Sequence, residues 1–198
     1  MQKFRKSLLL EIHPGFYVFL ALLLLLIPIK WIMSWFGAAM VHELFHYLVI
    51  RFNKIPVYAF RLGASGIIME TGPMPWHIEL VSAIAGPVGA LGIILLSPWF
   101  PECAICAYIQ SAFNLIPVYP LDGGRALRCL SIKLFPISLS SKIIMCTEII
   151  VLAVLSCIGA YMSLGLKLGP VPFLITILIV FRVCKAKFPC KEGKQRVQ

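Results

Sequence analysis

Acidic residues are scarce in this chain: eight Asp and Glu stand against eighteen Lys and Arg in 198 residues. Charged residues of both signs make up only 13% of it, about half the share usual in soluble domains. With 60% apolar residues and a mean hydropathy of +0.93, this poverty excludes a chain folded around one water-excluded core. Long apolar runs imply instead a polytopic membrane protein. Internal repeats are lacking too, which argues against an inverted-repeat transporter. The seven cysteines show no repeated metal-ligand spacing. Most read as small buried apolar residues. Cys103 and Cys106 form a CxxC without thioredoxin-like surroundings, so a redox pair or disulfide is only the second reading there.

What is present is organised as apolar segments. Six spans are expected, at about 15–29, 31–50, 78–99, 103–118, 141–164 and 170–184. The expected class is therefore an all-α polytopic membrane protein of about six transmembrane helices with a small membrane-associated β-hairpin. The net charge of +10 invites a nucleic-acid reading, but its placement removes the need for one. With the N-terminus inside, sixteen of the eighteen basic residues fall on the cytoplasmic side, leaving only Lys30 and Lys167 outside. The positive-inside rule thus sets both termini cytoplasmic in a multi-pass cell-membrane protein. Contact of the basic tail with anionic lipid accounts for the rest. Residues 1–188 are expected to form one domain and 189–198 a disordered basic tail. No small-residue cleavage site follows Leu22–Leu26, so the first span is expected to be retained.

The segment Trp31–Ile50 carries His42-Glu43-Leu44-Phe45-His46. An ionisable group at the centre of a membrane helix costs roughly 2.5–3.5 kcal/mol and is functional by default. Positions i and i+4 lie about 40° apart on a helix, so His42 and His46 share a face one turn apart. That suits two ligands of one tetrahedral zinc, with Glu43 placed beside them as a general base rather than a ligand. Two paired core histidines with a nearby Glu are the bland alternative. A soluble helix would solvate such residues cheaply, and a membrane helix does not.

A third ligand is wanted for a catalytic zinc that keeps one open position. The fourth span ends in Asn114-Leu115-Ile116-Pro117-Val118-Tyr119-Pro120-Leu121-Asp122-Gly123-Gly124. Two prolines break the helix there, and two glycines allow a sharp turn or a close backbone approach. His42 lies about eight residues inside the cytoplasmic end of its span, roughly 12 Å deep. A re-entrant break can carry Asp122 to that depth, so Asp122 is the expected third ligand. Glu148, at a similar depth in the fifth span, is its rival. Asn114 is a candidate donor to substrate or water, and equally a helix-packing residue.

Elsewhere, residues 55–70 place two β-prone stretches around Gly63-Ala64-Ser65-Gly66, a hairpin expected to dip into the membrane interface. Ala85-Gly86-Pro87 reads as small-residue helix packing with a proline kink. Residues 125–140 read as an amphipathic surface segment. His13, His77 and Glu79 read as interfacial.

With HELFH on one span and NLIPVYPLDGG after another, the chain resembles the site-2 protease family of intramembrane zinc metalloproteases, and within it the sporulation factor IV FB branch. The likeness runs from about Ile12 through Gly124. It implies one zinc ion on His42, His46 and Asp122, with Glu43 as the catalytic glutamate. It also likens Gly63–Gly66 to the turn of the family's membrane-embedded hairpin, and Ala85-Gly86-Pro87 to its AGP segment. The expected substrate is a membrane-tethered protein such as a transcription-factor precursor or an anti-sigma factor. Its partner medium is the lipid bilayer, not nucleic acid. Two departures stand out: Phe45 where a small residue is common, and Gly89-Ala90 where a polar residue is frequent. A zinc-binding membrane transporter is the alternative function, though such a conduit usually recruits more His and acidic residues than Asp122 and Glu148. A catalytically silent scaffold would usually have lost a ligand or Glu43.

Overall fold

The computed structural model describes residues 9–63 and 66–166, with isolated positions from 169 to 183. The expected basic tail and most of the expected sixth span lie outside the described residues. The chain divides into two compact units, Met1–Leu115 and Ile116–Gln198.

The first unit opens with strand β1 (Leu9–Ile12) and helix α1 (Pro14–Leu26), followed by the long helix α2 (Ile29–Phe52). Strands β2 (Val57–Gly63) and β3 (Gly66–Thr71) come next, then α3 (Trp76–Leu91), continued by a tighter helical turn over Gly92–Leu96, and α4 (Pro101–Asn114). Proline punctuates the helix starts: Pro28 and Pro75 precede α2 and α3, and Pro14 and Pro101 open α1 and α4. These positions cost nothing, because the first N–H groups of a helix have no intrahelical partner. At its far end α2 is closed by Asn53, whose Nδ2 donates to the Val49 carbonyl at 2.8 Å, and by Lys54 in the left-handed region at φ 58°.

Helices α2, α3 and α4 pack on one another through small residues. Ala38, Ala90, Ile93, Cys106 and Ala107 form the buried cluster, with Val41 and Cys103 against it. Small side chains let helix backbones approach closely where lipid offers no hydrophobic drive to association. Two polar residues of α4 reach a backbone carbonyl of a neighbouring helix. Gln110 Nε2 donates to Trp35 O at 2.9 Å, and Ser111 Oγ to Pro87 O at 3.1 Å. At the start of the same helix Glu102 pairs with Lys30 of α2 at 2.6 Å. Cys103 and Cys106 are free thiols within this packing.

The expected hairpin is present but is part of a three-stranded sheet ordered β1-β2-β3, with β1 parallel and β3 antiparallel to β2. Gly66 sits at φ 112°, a conformation that favours glycine, while Ala64 and Ser65 lie outside the described residues. Strand β1 was not expected, since four residues in a basic, mixed segment carry no alternation to read. Arg61 on the middle strand ties all three together, pairing with Glu11 at 2.8 Å and Glu70 at 2.6 Å. His13 follows β1 and caps α1, its Nδ1 accepting from Gly15 N at 3.2 Å.

The second unit contains α5 (Asp122–Leu134) and α6 (Ile137–Ala160), which contact each other, and a wider helical turn over Tyr161–Gly165. The amphipathic segment expected at 125–140 is α5 and ends sooner, at Phe135-Pro136, because proline cannot continue a helix. Arg128, Lys133, Leu130 and Ile132 are exposed on it, and Cys129 and Ser131 are buried.

Among the described residues the protein is mostly helical with a small sheet. Among the described residues, two helical stretches are long and apolar enough to cross a membrane: Trp76–Leu96 and Ile137–Gly165, with mean hydropathies of 2.0 and 2.4. Helices α1 and α4, at 13 and 14 residues, are about 20 Å long, short of a hydrocarbon core of roughly 30 Å. The chain nonetheless carries large exposed apolar side chains along its length, among them Val18, Leu25, Leu95, Ile137 and Leu164.

Candidate metal centre

Both histidines of α2 are buried, each 4% exposed. Their rings meet edge to face with centroids 4.7 Å apart, and the two Nε2 atoms face each other at 3.0 Å. His46 Nδ1 lies 2.7 Å from the carbonyl oxygen of Ser82 on α3. A carbonyl only accepts, so Nδ1 carries the proton and Nε2 of the neutral ring presents its lone pair toward His42. Fixing a ligand's tautomer through its other nitrogen is a regular feature of metal-binding histidines.

Glycine explains how α3 comes so near. A Cβ on Gly86 would collide with the His46 imidazole at Nε2 and Cε1. Ala85-Gly86-Pro87, read from sequence as general helix packing, is therefore the seat of a histidine ring. Gly89 plays the same part for Phe45, whose ring occupies the space its side chain would take. Phe45 and Gly89 are thus one exchange, a large residue on α2 set against a bare backbone on α3. Pattern reading treated them separately because nothing local links positions 45 and 89.

The aspartate is presented differently. Between Leu115 and Leu121 the chain leaves helical geometry, and Asp122 begins α5 as its first residue, 7% exposed. Arg125 Nη1, one turn on, lies 3.4 Å from Asp122 Oδ1. A Cβ on Gly124 would strike the backbone of Val118 and Tyr119, so only glycine lets the first turn of α5 lie against the preceding bend. Glu148 on α6, 2% exposed, accepts the Tyr119 N–H at 3.2 Å.

His42 and His46 offer two buried imidazole nitrogens on α2, and Asp122, buried at the start of α5 in the second unit, offers a carboxylate oxygen. Two imidazole nitrogens and a carboxylate oxygen, all buried, make a chemically apt set for a divalent metal. The Nε2–Nε2 separation is close to the roughly 3.3 Å that two nitrogens 2.0–2.1 Å from one tetrahedral ion would show. The residues present fit the group. Glu43 beside His42 and Asn114 at the end of α4 are both half-buried. His77 is exposed with its ring against Trp76, and His13 serves the cap of α1.

Comparison with known proteins agrees with this chemistry. No family model matches the chain. A zinc metalloprotease of Methanocaldococcus jannaschii is 28% identical over 155 residues, covering 68% of this chain and 46% of the relative. A solved site-2 protease from the same organism shares the fold, with a TM-score of 0.64 at 22% identity, covering 100% of this chain and 98% of that one. The chain is thus similar in sequence to a zinc metalloprotease and shares the fold of a site-2 protease. The likeness reaches the sporulation branch: stage IV sporulation protein FB of Bacillus subtilis is 26% identical over 164 residues, covering 75% of this chain and 56% of the relative. The chain spans about half the length of these two curated relatives.

Proposed function

We propose that the chain is an intramembrane zinc metalloprotease that hydrolyses peptide bonds within or beside the transmembrane segment of membrane-tethered proteins. The buried, facing rings of His42 and His46, with His46 held in the ligating tautomer, carry this reading, and Asp122 is the proposed third donor. These three residues would hold a single zinc ion. Zinc bound there supplies a Lewis acid that polarises a peptide carbonyl and brings the pKa of water to about 7. Glu43 takes the proton of the attacking water on its carboxylate and delivers it to the leaving amine nitrogen. His46 is kept in the ligating tautomer by its Nδ1–H bond to Ser82 O. Asn114 is the candidate donor to the substrate backbone.

A helical substrate hides its peptide bonds, so it must unwind before cleavage. Strand β3 is an edge of the sheet, and an unwound substrate can add to it by main-chain hydrogen bonds. Trp76–Leu96 and Ile137–Gly165 are long and apolar enough for two spans; the apolar stretches at about 15–29, 31–50, 103–118 and 170–184 complete the six proposed. Both termini would be cytoplasmic, on the side nearer the histidines. Suitable substrates are a transcription-factor precursor or an anti-sigma factor.

Co-expression with a tethered substrate tests the reading. Glu43→Gln should keep its zinc while cleavage falls by roughly 10²–10⁴-fold, the usual contribution of a positioned general base. Cleavage at the wild-type rate by a zinc-loaded Glu43→Gln protein would overturn the proton-transfer role. Zinc uptake into liposomes without peptide cleavage would favour a transporter instead.

A further inference from the structure

Among the described residues, Glu148 is the largest fully buried side chain of the second unit, and the mechanism above does not use it. It stands in an otherwise apolar stretch of α6, with Ile149 and Ile150 exposed after it. A carboxylate buried in such surroundings is costly unless its oxygens are hydrogen-bonded. What it grips is informative. Its Oε1 accepts the N–H of Tyr119, three residues before Asp122.

The bend from Ile116 to Leu121 has few donors with which to hold its own shape. Pro117 and Pro120 have no N–H, and its internal backbone bonds are Val118 N to Ile116 O and Leu121 N to Val118 O. Tyr119 N is also the atom that a side chain on Gly124 would strike. The bend, the first turn of α5 and the middle of α6 therefore meet at one backbone amide, and Asp122 lies on the chain between the first two. Arg125 touches the Asp122 carboxylate directly but belongs to the same helix and moves with it. Glu148 comes from another helix and fixes where that helix begins.

We propose that Glu148 is a positioning residue for the metal centre, acting through the Tyr119 amide to hold the bend that presents Asp122. The inference rests on the proposed zinc site, and it replaces the alternative of Glu148 as a ligand. Replacing the carboxylate by an apolar side chain of similar size frees the bend while leaving all three donors in place. Replacing it by Gln keeps an acceptor oxygen in the same position.

The test is zinc affinity of the full-length protein in detergent, measured by chelator competition, with helix content followed by circular dichroism. Glu148→Met should weaken zinc binding about 10–100-fold, the usual cost of losing an outer partner of a ligand, with helix content unchanged. Glu148→Gln should stay within about threefold of wild type, because its amide oxygen still accepts. Wild-type affinity in Glu148→Met, or equal losses in the Met and Gln variants, would overturn the proposal. Should Glu148→Met fail to fold, Glu148→Asp asks the same question by withdrawing the oxygen one methylene from Tyr119. Weakened binding there supports the role and unchanged binding overturns it. Asp122→Ala separates the two levels: if it loses zinc and Glu148→Met does not, only the positioning role fails. If it keeps zinc at wild-type affinity, the site reading fails and takes this role with it.

Discussion

The two regions proposed to carry metal ligands hold those residues by opposite means. Helix α2 presents His42 and His46 from the middle of 24 regular residues, and their spacing follows from the helix itself. Its help from outside comes through backbone: the Ser82 carbonyl fixes one ring, and the bare Cα of Gly86 makes room for it. The bend before α5 has no regular geometry to lean on. It holds Asp122 through a glycine contact at residue 124 and a buried carboxylate from another helix. A ligand pair can be built on periodicity, whereas a single ligand on a broken segment needs dedicated supports.

The sharpest way to break this comparison is to remove the ligands. His46→Ala and Asp122→Ala should each weaken zinc binding by more than the roughly 10–100-fold that an outer partner costs, read by chelator competition. If Asp122→Ala stayed within that range, the bend would be a support and α2 would hold the metal alone. The glycines come next. Gly86→Ala drives a methyl group into the His46 ring and should cost about 1–3 kcal/mol as overpacking, felt mainly as lost zinc affinity. Gly124→Ala meets backbone that cannot rotate away, so about the same 1–3 kcal/mol should appear as a lower thermal midpoint as well. Equal effects of the two variants on both measurements would erase the distinction between the regions.

How much of this was legible in the sequence follows the same division. The His42–His46 pair was readable because helical period alone puts the residues on one face. Asp122, the chain's single aspartate, is proposed as a ligand on chemical grounds: a two-ligand motif lacks a third donor, and prolines and glycines announce the break that precedes it. The supports were not legible. Nothing in positions 86, 89 or 124 states which ring or backbone each glycine faces, because those contacts join residues far apart in sequence or across a non-repeating bend. Glu148 was visible as an anomalous buried acid, but its partner is a backbone amide, which has no residue letter. Strand β1 was missed for a related reason: four residues become a strand only because Ala59–Leu62 lie alongside. Among the described residues, two of the six expected spans are long and apolar enough on their own.

A smaller effect sharpens the comparison on the histidine side. Ser111 Oγ donates to the carbonyl of Pro87, next to the glycine that seats His46. Ser111→Ala should lower stability by about 0.5–1.5 kcal/mol, the net value of one intramolecular hydrogen bond, seen as a shift in thermal midpoint. Zinc affinity should hold, since Gly86 and the Ser82 carbonyl stay where the rest of α3 puts them. A loss of zinc as large as that in Gly86→Ala would mean that α2 leans on α4 far more than regular geometry requires.

The least effect is expected at the other end of α2, where Lys30 pairs with Glu102 at the start of α4. The hydrogen bond from Lys30, with help from the backbone at Glu102, holds the Glu102 carboxyl below its ordinary value of 4.5. A carboxyl depressed in the folded state favours folding above its unfolded pKa, and that contribution disappears as pH falls through the lower folded value. Lys30→Met removes the first of those causes. Its thermal midpoint should sit slightly below wild type at neutral pH, and the two curves should converge as pH drops below about 4.5. The pair is exposed on the Lys30 side, so added salt should narrow the gap as well. Zinc affinity at neutral pH should be unchanged, because His42 lies twelve residues, about three turns, further along a continuous helix. A gap that persisted at low pH would assign the stability to packing of the Lys30 stem rather than to charge. A loss of zinc would show that α2 is not the self-sufficient platform that sets it apart from the bend at Asp122.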